Sequence, residues 1–190
     1  KPDMSTFLVE VEEATWRRVG FETMSPEDTV KYCEEVFAAE LEGHPIISNH
    51  SYWRNFPVIW NERWSMDNIV LLGDALRTAH FSIGSGTRLA MEDSVALFKA
   101  FKETQGDIPA ALARFQELRL PPMKKIWTAA NTSIAWYEKM DELVPGLTPM
   151  EFAYSYMTRT GRVDHAEIRK RDPELAAAYE QLHPEAVARE

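Results

Sequence analysis

Hydrophobic and polar positions change their period several times along this chain, and each change marks an element. Residues 5–12, STFLVEVE, alternate, with Phe7, Val9 and Val11 on one side and Glu10 and Glu12 on the other. That predicts a half-buried strand. MSPEDTVKYCEEVFAAEL, residues 24–41, then turns helical: Ser25 is the expected N-cap, Pro26 the first helical residue, and acids follow in the first turn. Val30, Cys33, Val36, Phe37 and Leu41 form its apolar stripe, which ends at Gly43. SYWRNFPVIWNERW, residues 51–64, reads as an aromatic strand broken or edged at Pro57. NIVLLGD, residues 68–74, is a continuous apolar run, as in a strand buried on both faces.

Past Gly86 the period is helical again, and Ala90, Ser94, Leu97, Phe98 and Phe101 share one face. GDIPAALARFQELRL restarts a helix with Asp107 near its cap. Pro121 and Pro122 have no N–H to give and are expected to kink or break it. Met123, Trp127, Ala130, Ile134 and Tyr137 continue one side beyond them. LTPMEFAYSYMTR reads as a short helix capped by Thr148 with Pro149 first, and the tail from about Val163 as mostly helical. Strands come first and helices after, so the expected class is α+β.

Composition then narrows the function. A chain of 190 residues with 45% apolar residues and six Trp can bury a core. The net charge of −9 weighs against non-specific binding to nucleic acid. A lone Cys33 excludes an internal disulfide framework or a Cys-rich zinc site and fits a reducing cytoplasm. No run of about 20 apolar residues offers a membrane span, and no signal peptide opens the chain.

The chemistry concentrates between Leu71 and Phe101, where a greasy strand passes through Gly73 and Asp74, then His80 and Gly84-Ser85-Gly86, into a helix. Asp74 at a strand's carboxyl edge accepts hydrogen bonds only, so it suits a polyol or an amine. Gly84 and Gly86 let a ligand approach the backbone. The N–H groups of Thr87, Arg88 and Leu89 would face outward at the positive end of the helix dipole, suiting an anion or an electron-rich carbonyl. A polyol beside an electron-rich heterocycle describes a flavin. Each feature alone has a plainer explanation. Gly-Asp is often only a capped turn, Gly-Ser-Gly a flexible one, His80 a packed side chain, and Glu92 with Asp93 acids that complement the dipole. The ordered combination is what points to a cofactor.

Residues 69–98 resemble the second FAD-binding segment of single-component flavoprotein aromatic hydroxylases, the p-hydroxybenzoate hydroxylase group. The resemblance implies that Gly73 and Asp74 hold the ribityl chain and that Gly84, Gly86, Thr87 and Arg88 cradle the pyrimidine edge of the ring. The group usually reads Gly-Asp-Ala-Ala-His, whereas Leu76 and Arg77 occupy the last two places here. A wider likeness runs through STFLVEVEEATWRR, ISNHSYWRNFPVIWNERW, AHFSIGSGTRLAMED and FAYSYMTRTGRV. These segments are similar to the monooxygenase part of salicylyl-CoA 5-hydroxylases and anthraniloyl-CoA monooxygenases. The HFSIGSGT turn is also similar to that of violacein-pathway tryptophan hydroxylases.

The resemblance implies a fold: the second half of an α/β FAD-binding domain of that type, plus substrate-domain strands, followed by C-terminal helices. Residues 1–66 would be the substrate-domain strands and helix, 67–105 the FAD segment and 106–190 the helical region. It also implies an activity, the hydroxylation of an activated aromatic ring through a flavin C4a-hydroperoxide, with FAD as cofactor and NADH or NADPH as co-substrate. The substrate would be an aryl-CoA thioester; tryptophan, an indole or a free aromatic acid is the alternative, as is a non-catalytic fragment. His80 is the candidate for proton transfer or substrate contact, and Phe81, Trp53 and Phe56 for lining the aromatic pocket, although aromatic strands are core more often than not. A CoA ester would need cations, for which Arg17, Arg18, Arg54 and Arg63 are candidates. No Gly-x-Gly-x-x-Gly fingerprint for the ADP half of FAD occurs, so a further N-terminal FAD-binding portion is expected as partner. By itself the chain is expected to hold FAD weakly, and either to expose its apolar run and aggregate or to cover it by self-association or with a partner segment.

Overall fold

The computed structural model describes residues 4–184, and these divide into two compact units, Lys1–Asn55 and Phe56–Glu190. In the first, α1 (Glu13–Val19) ends at Gly20, whose φ of 84° supplies the left-handed stop. Helix α2 (Pro26–Val36) begins as expected, with the Ser25 hydroxyl accepting the Asp28 N–H at 3.0 Å. It ends at Val36, earlier than the stripe implied, and α3 (Ala38–Leu41) follows as a separate turn. Phe21 is the buried centre of this unit, packed on Tyr32 and Trp53, with Cys33 buried in α2.

The strand expected over residues 5–12 is not formed. Residues 4–12 carry no regular element, although the alternation survives: Val9 and Val11 are half-buried while Leu8 and Glu10 are exposed. A strand needs a hydrogen-bonded neighbour, and none of the described residues provides one. Phe7 rests edge-on against Phe37 instead.

In the second unit, β1 (Ser65–Met66) and β2 (Ile69–Val70) form a short antiparallel hairpin, with Ser65 opposite Val70 and Met66 opposite Ile69. The two expected longer strands are therefore corrected. Residues 51–64 contribute only an isolated bridge from Trp60 to Arg77. NIVLLGD pairs over two residues and leaves Ile69 60% exposed, so it is not a strand buried on both faces. What replaces the ladder is a set of single bonds: Thr78 N–H to the Ile59 carbonyl, Asn61 N–H to the Leu76 carbonyl, and the Asn61 amide to the Ala75 and Leu76 carbonyls.

Helices dominate from there. They are α4 (Gly86–Glu103), α5 (Ile108–Tyr137), α6 (Met140–Leu143), α7 (Pro149–Thr158), α8 (His165–Arg171) and α9 (Pro173–Leu182). Asp107 caps α5, accepting the Ala110 N–H at 3.0 Å, and Thr148 with Glu151 forms a capping box on α7. Helix α5 runs unbroken through Pro121 and Pro122, contrary to expectation. Phe115, Arg119 and Met123 are buried around that step, so tertiary packing outweighs the missing N–H groups.

The core lies between α4, α5 and the hairpin: Trp64, Leu76, Ala96, Ala100, Phe115 and Met123, with Trp64 5.5 Å from Phe115. The buried face of α4 is Leu89, Asp93, Ala96 and Ala100, not the Ala90–Phe101 face. Phe98 is 68% exposed. The stripe is displaced by a residue because a carboxylate occupies one of its core positions. No helix among the described residues is long and apolar enough to cross a membrane.

Candidate functional site

The hairpin delivers the chain through Leu71 and Leu72 to a single 3₁₀ turn, Gly73–Ala75. Gly73 sits at φ 56°, and a Cβ there would lie 3.2 Å from Ala90 Cβ, so both conformation and space favour glycine. Asp74 follows, and its exposed carboxylate takes no hydrogen bond from the described residues.

Beneath it lies a buried ion cluster. Asp93, fully buried on α4, accepts the Gly73 N–H at 3.0 Å. Arg77 grips the same carboxylate with both prongs, Nη1 to Oδ2 at 2.7 Å and Nη2 to Oδ1 at 3.1 Å, while Nη1 also donates to the Gly73 carbonyl at 2.9 Å. Arg119, from α5, donates Nε to Asp93 Oδ1 at 2.9 Å and Nη1 to Glu92 at 3.1 Å. Arg88 holds the other oxygen of Glu92 at 2.8 Å, and these guanidiniums keep the Glu92 carboxyl below the usual range. A narrow crevice beside Asp74 is lined by Gly73, Arg77, Ala79, Gly86 and Leu89.

The second turn, Phe81–Ile83, precedes Gly84 at φ 60° and then α4. His80 caps it, its Nδ1 accepting the Ser82 N–H at 3.2 Å, which leaves the proton of a neutral ring on Nε2. The imidazole stacks on Phe81, centroids 4.3 Å apart, and Phe81 meets Phe56 edge-on at 5.1 Å. Below the turn, Ser82 donates to the fully buried Ser133 hydroxyl at 3.2 Å. Arg159 donates Nε to that hydroxyl at 3.0 Å, with its guanidinium 3.9 Å above the Tyr156 ring. Helix α4 starts without a side-chain cap, and nothing lies within 4 Å of a Cβ built on Gly84 or Gly86.

His80, Phe81 and Phe56 are thus brought together. Trp53 belongs to the other unit, where it packs on Phe21 at 4.4 Å. Thr87 and Arg88 are exposed at the start of α4, though Arg88 is paired with Glu92 rather than free. Arg17, one of the candidate cations for a CoA ester, is paired with Glu13 at 2.7 Å. Asp93, Arg77, Arg119, Ser133 and Arg159 were not anticipated. Asp93 left a trace in the sequence: it falls on the helical register of Leu89, Ala96 and Ala100, where an unpaired carboxylate would be prohibitive. The guanidiniums that pair with it come from positions 16 residues before and 26 after, which no local pattern connects.

Comparison with known proteins places this arrangement. No protein-family model matches the chain. It is 39% identical to a salicyloyl-CoA 5-hydroxylase from a Streptomyces species over 185 residues, 93% of this chain and 35% of that protein. It is 41% identical to protodeoxyviolaceinate monooxygenase from Chromobacterium violaceum, over 82% of this chain and 42% of that one. A 3-hydroxy-4-methyl-anthranilyl-[aryl-carrier protein] 5-monooxygenase from Streptosporangium sibiricum is 35% identical, over 88% and 42% of the two chains. A shorter match, 43% identical over 30% of this chain and 14% of the other, is an FAD-dependent urate hydroxylase from Mycolicibacterium vanbaalenii. The chain is related to these aromatic hydroxylases and monooxygenases. It corresponds to a carboxyl-terminal part of them and spans 35–42% of the length of the first three relatives.

The residues present fit one half of that hydroxylase cofactor. A free, exposed carboxylate at Asp74 suits ribityl hydroxyls, and the open glycines with an uncapped helix start suit the electron-rich pyrimidine edge.

Proposed function

We propose that this chain holds the ribityl and ring portion of FAD in an enzyme that hydroxylates an activated aromatic ring, with NADH or NADPH as reductant. The observation that carries this is the exposed Asp74 carboxylate, which takes no hydrogen bond from the described residues, beside an uncapped 18-residue helix whose entry glycines face open space. When bound, the flavin supplies the redox chemistry and the activation of dioxygen; the protein supplies binding, orientation and electrostatics. Asp74 accepts the ribityl hydroxyls. The N–H groups of Thr87 and Arg88 stabilise negative charge at the pyrimidine edge, in a place where they need no reorganisation, whereas that of Leu89, contrary to the sequence expectation, is already taken by the Ser85 carbonyl at 2.9 Å. His80 holds a proton at Nε2 for transfer at the ring undergoing reaction, and Phe56 and Phe81 supply aromatic surface to that substrate.

We further propose that the aromatic acid is carried as a thioester. Two of the relatives are named for an acyl group on CoA or on a carrier protein, and they match 93% and 88% of this chain. The protodeoxyviolaceinate relative supports the second reading, an indolic or free-acid substrate. The test is to purify the chain together with the expected N-terminal FAD-binding portion, titrate FAD by fluorescence, and compare substrate-stimulated NAD(P)H oxidation. The substrates are salicylyl-CoA, 2-aminobenzoyl-CoA, the free acids and tryptophan. Stimulation by thioesters is expected. Stimulation by tryptophan or a free acid alone would favour the second reading, and absence of FAD binding would overturn both.

A further inference from the structure

We infer that Arg77, Asp93 and Arg119 form a positioning clamp that fixes the direction of the Asp74 carboxylate relative to the start of α4. This rests on the flavin role proposed above and concerns how the chain's own residues prepare for it.

Both polar groups of Gly73 are held by one ion pair. Its N–H donates to Asp93 Oδ2 at 3.0 Å and its carbonyl accepts from Arg77 Nη1 at 2.9 Å, while Arg77 and Asp93 pair at 2.7 Å. A Cβ on Gly73 would also crowd Ala90 Cβ at 3.2 Å. The left-handed turn is closed by the Leu76 and Arg77 N–H groups on the Gly73 carbonyl, each at 3.0 Å, and is further held by packing on one face and by charge-assisted bonds on the other. Asp74 is the next residue, so whatever orients Gly73 orients its carboxylate. Asp93 lies on the same helix as Gly86, Thr87 and Arg88, so the strut joins the two halves of the candidate site. Arg119 ties it to α5 through Asp93 at 2.9 Å and through the Leu89 carbonyl at 3.4 Å. Buried ion clusters add little stability over apolar packing of equal volume, whereas breaking one is costly. A geometric role accounts for placing three charges, each at least 95% buried, directly under an exposed acid.

Arg77→Met tests the clamp without stranding a charge, since Asp93 keeps Arg119. Arg77→Lys keeps the charge but cannot grip Gly73 and Asp93 together. Amide hydrogen exchange across residues 73–77 is read without flavin, and FAD affinity is read by fluorescence titration on the same preparations. Arg77→Met should speed exchange at these amides and weaken FAD binding about tenfold or more, with Arg77→Lys recovering part of both. Unchanged exchange in the folded variant would overturn the clamp. So would faster exchange with unchanged FAD affinity, which is what a purely structural ion pair gives. Should Arg77→Met fail to fold, the same two readings in Arg77→Lys decide between these outcomes. If the unsubstituted protein takes up no FAD, the functional proposal falls separately, and the exchange data still show whether Arg77 fixes the turn.

Discussion

The start of α4 and the α7–α9 segment both place polar side chains beside helix ends, and they use them in opposite ways. Over α7–α9 each helix start is closed locally. Thr148 and Glu151 cap α7 reciprocally, Asp164 accepts the Glu167 N–H at 2.8 Å, and Asp172 accepts the Leu175 N–H at 3.0 Å. His165 links Tyr154 at 3.0 Å to Glu180 at 2.9 Å, and Tyr154 stacks on Tyr179 at 3.5 Å. At α4 no side-chain cap forms: the Ser85 hydroxyl donates to the Ile83 carbonyl, and Asp74 stands exposed nearby with no partner among the described residues. One region meets its own hydrogen-bonding needs. The other meets them only in its buried layer, through Asp93, and leaves its outer groups available to a ligand.

Breaking the buried layer should have the largest effect. Asp93→Ala strands the nearly fully buried Arg77 guanidinium and leaves Arg119 with Glu92 alone, and should cost about 3–5 kcal/mol of stability. Urea unfolding measures it, and a loss below about 1 kcal/mol would mean that the cluster is solvated in solution. Altering the outer layer should leave stability nearly unchanged and act on the ligand. Asp74→Ala should weaken FAD binding by about 1.5–3 kcal/mol with the unfolding midpoint preserved, because only hydrogen bonds to a charged acceptor are lost. Equal FAD affinity in the two proteins would remove Asp74 from the site.

In the closed region, Thr148→Ala removes a cap and should cost about 1 kcal/mol with no change in FAD affinity. A drop in affinity would show that the two regions are not independent. The smallest effect should come from acid. Hydrogen bonds from Thr148, first through its hydroxyl and then its N–H, and a weaker one from His183, hold the Glu151 carboxyl at about 2 rather than the ordinary 4.5. A depressed folded value means that this contribution is complete above about pH 4.5 and is lost as pH falls toward 2. Glu151→Gln should therefore flatten the decline of helicity over that window, followed by circular dichroism. An unchanged acid transition would exclude Glu151 from it.

Helix starts were the most legible part of the fold. Ser25, Asp107 and Thr148 cap where a short polar side chain precedes a helical stripe, since the bond that forms spans only three residues. The elements and order of the candidate site, Gly73, Asp74, His80 and Gly84–Arg88, were legible for the same reason: they lie within 16 consecutive residues. The strands were not. Alternation at Phe7–Val11 and the apolar run Ile69–Leu72 describe side-chain faces, whereas a strand exists only if another segment offers its backbone.

By itself the sequence determined the local caps and the turn glycines, because each depends on neighbours along the chain. Tertiary structure alone decided that α5 continues through Pro121 and Pro122, and that the buried face of α4 contains Asp93. It alone brought Arg77 and Arg119 to that carboxylate. A missing N–H or a buried charge is unfavourable on any local scale. Both become tolerable only when packing and opposite charge arrive from segments far away in the sequence.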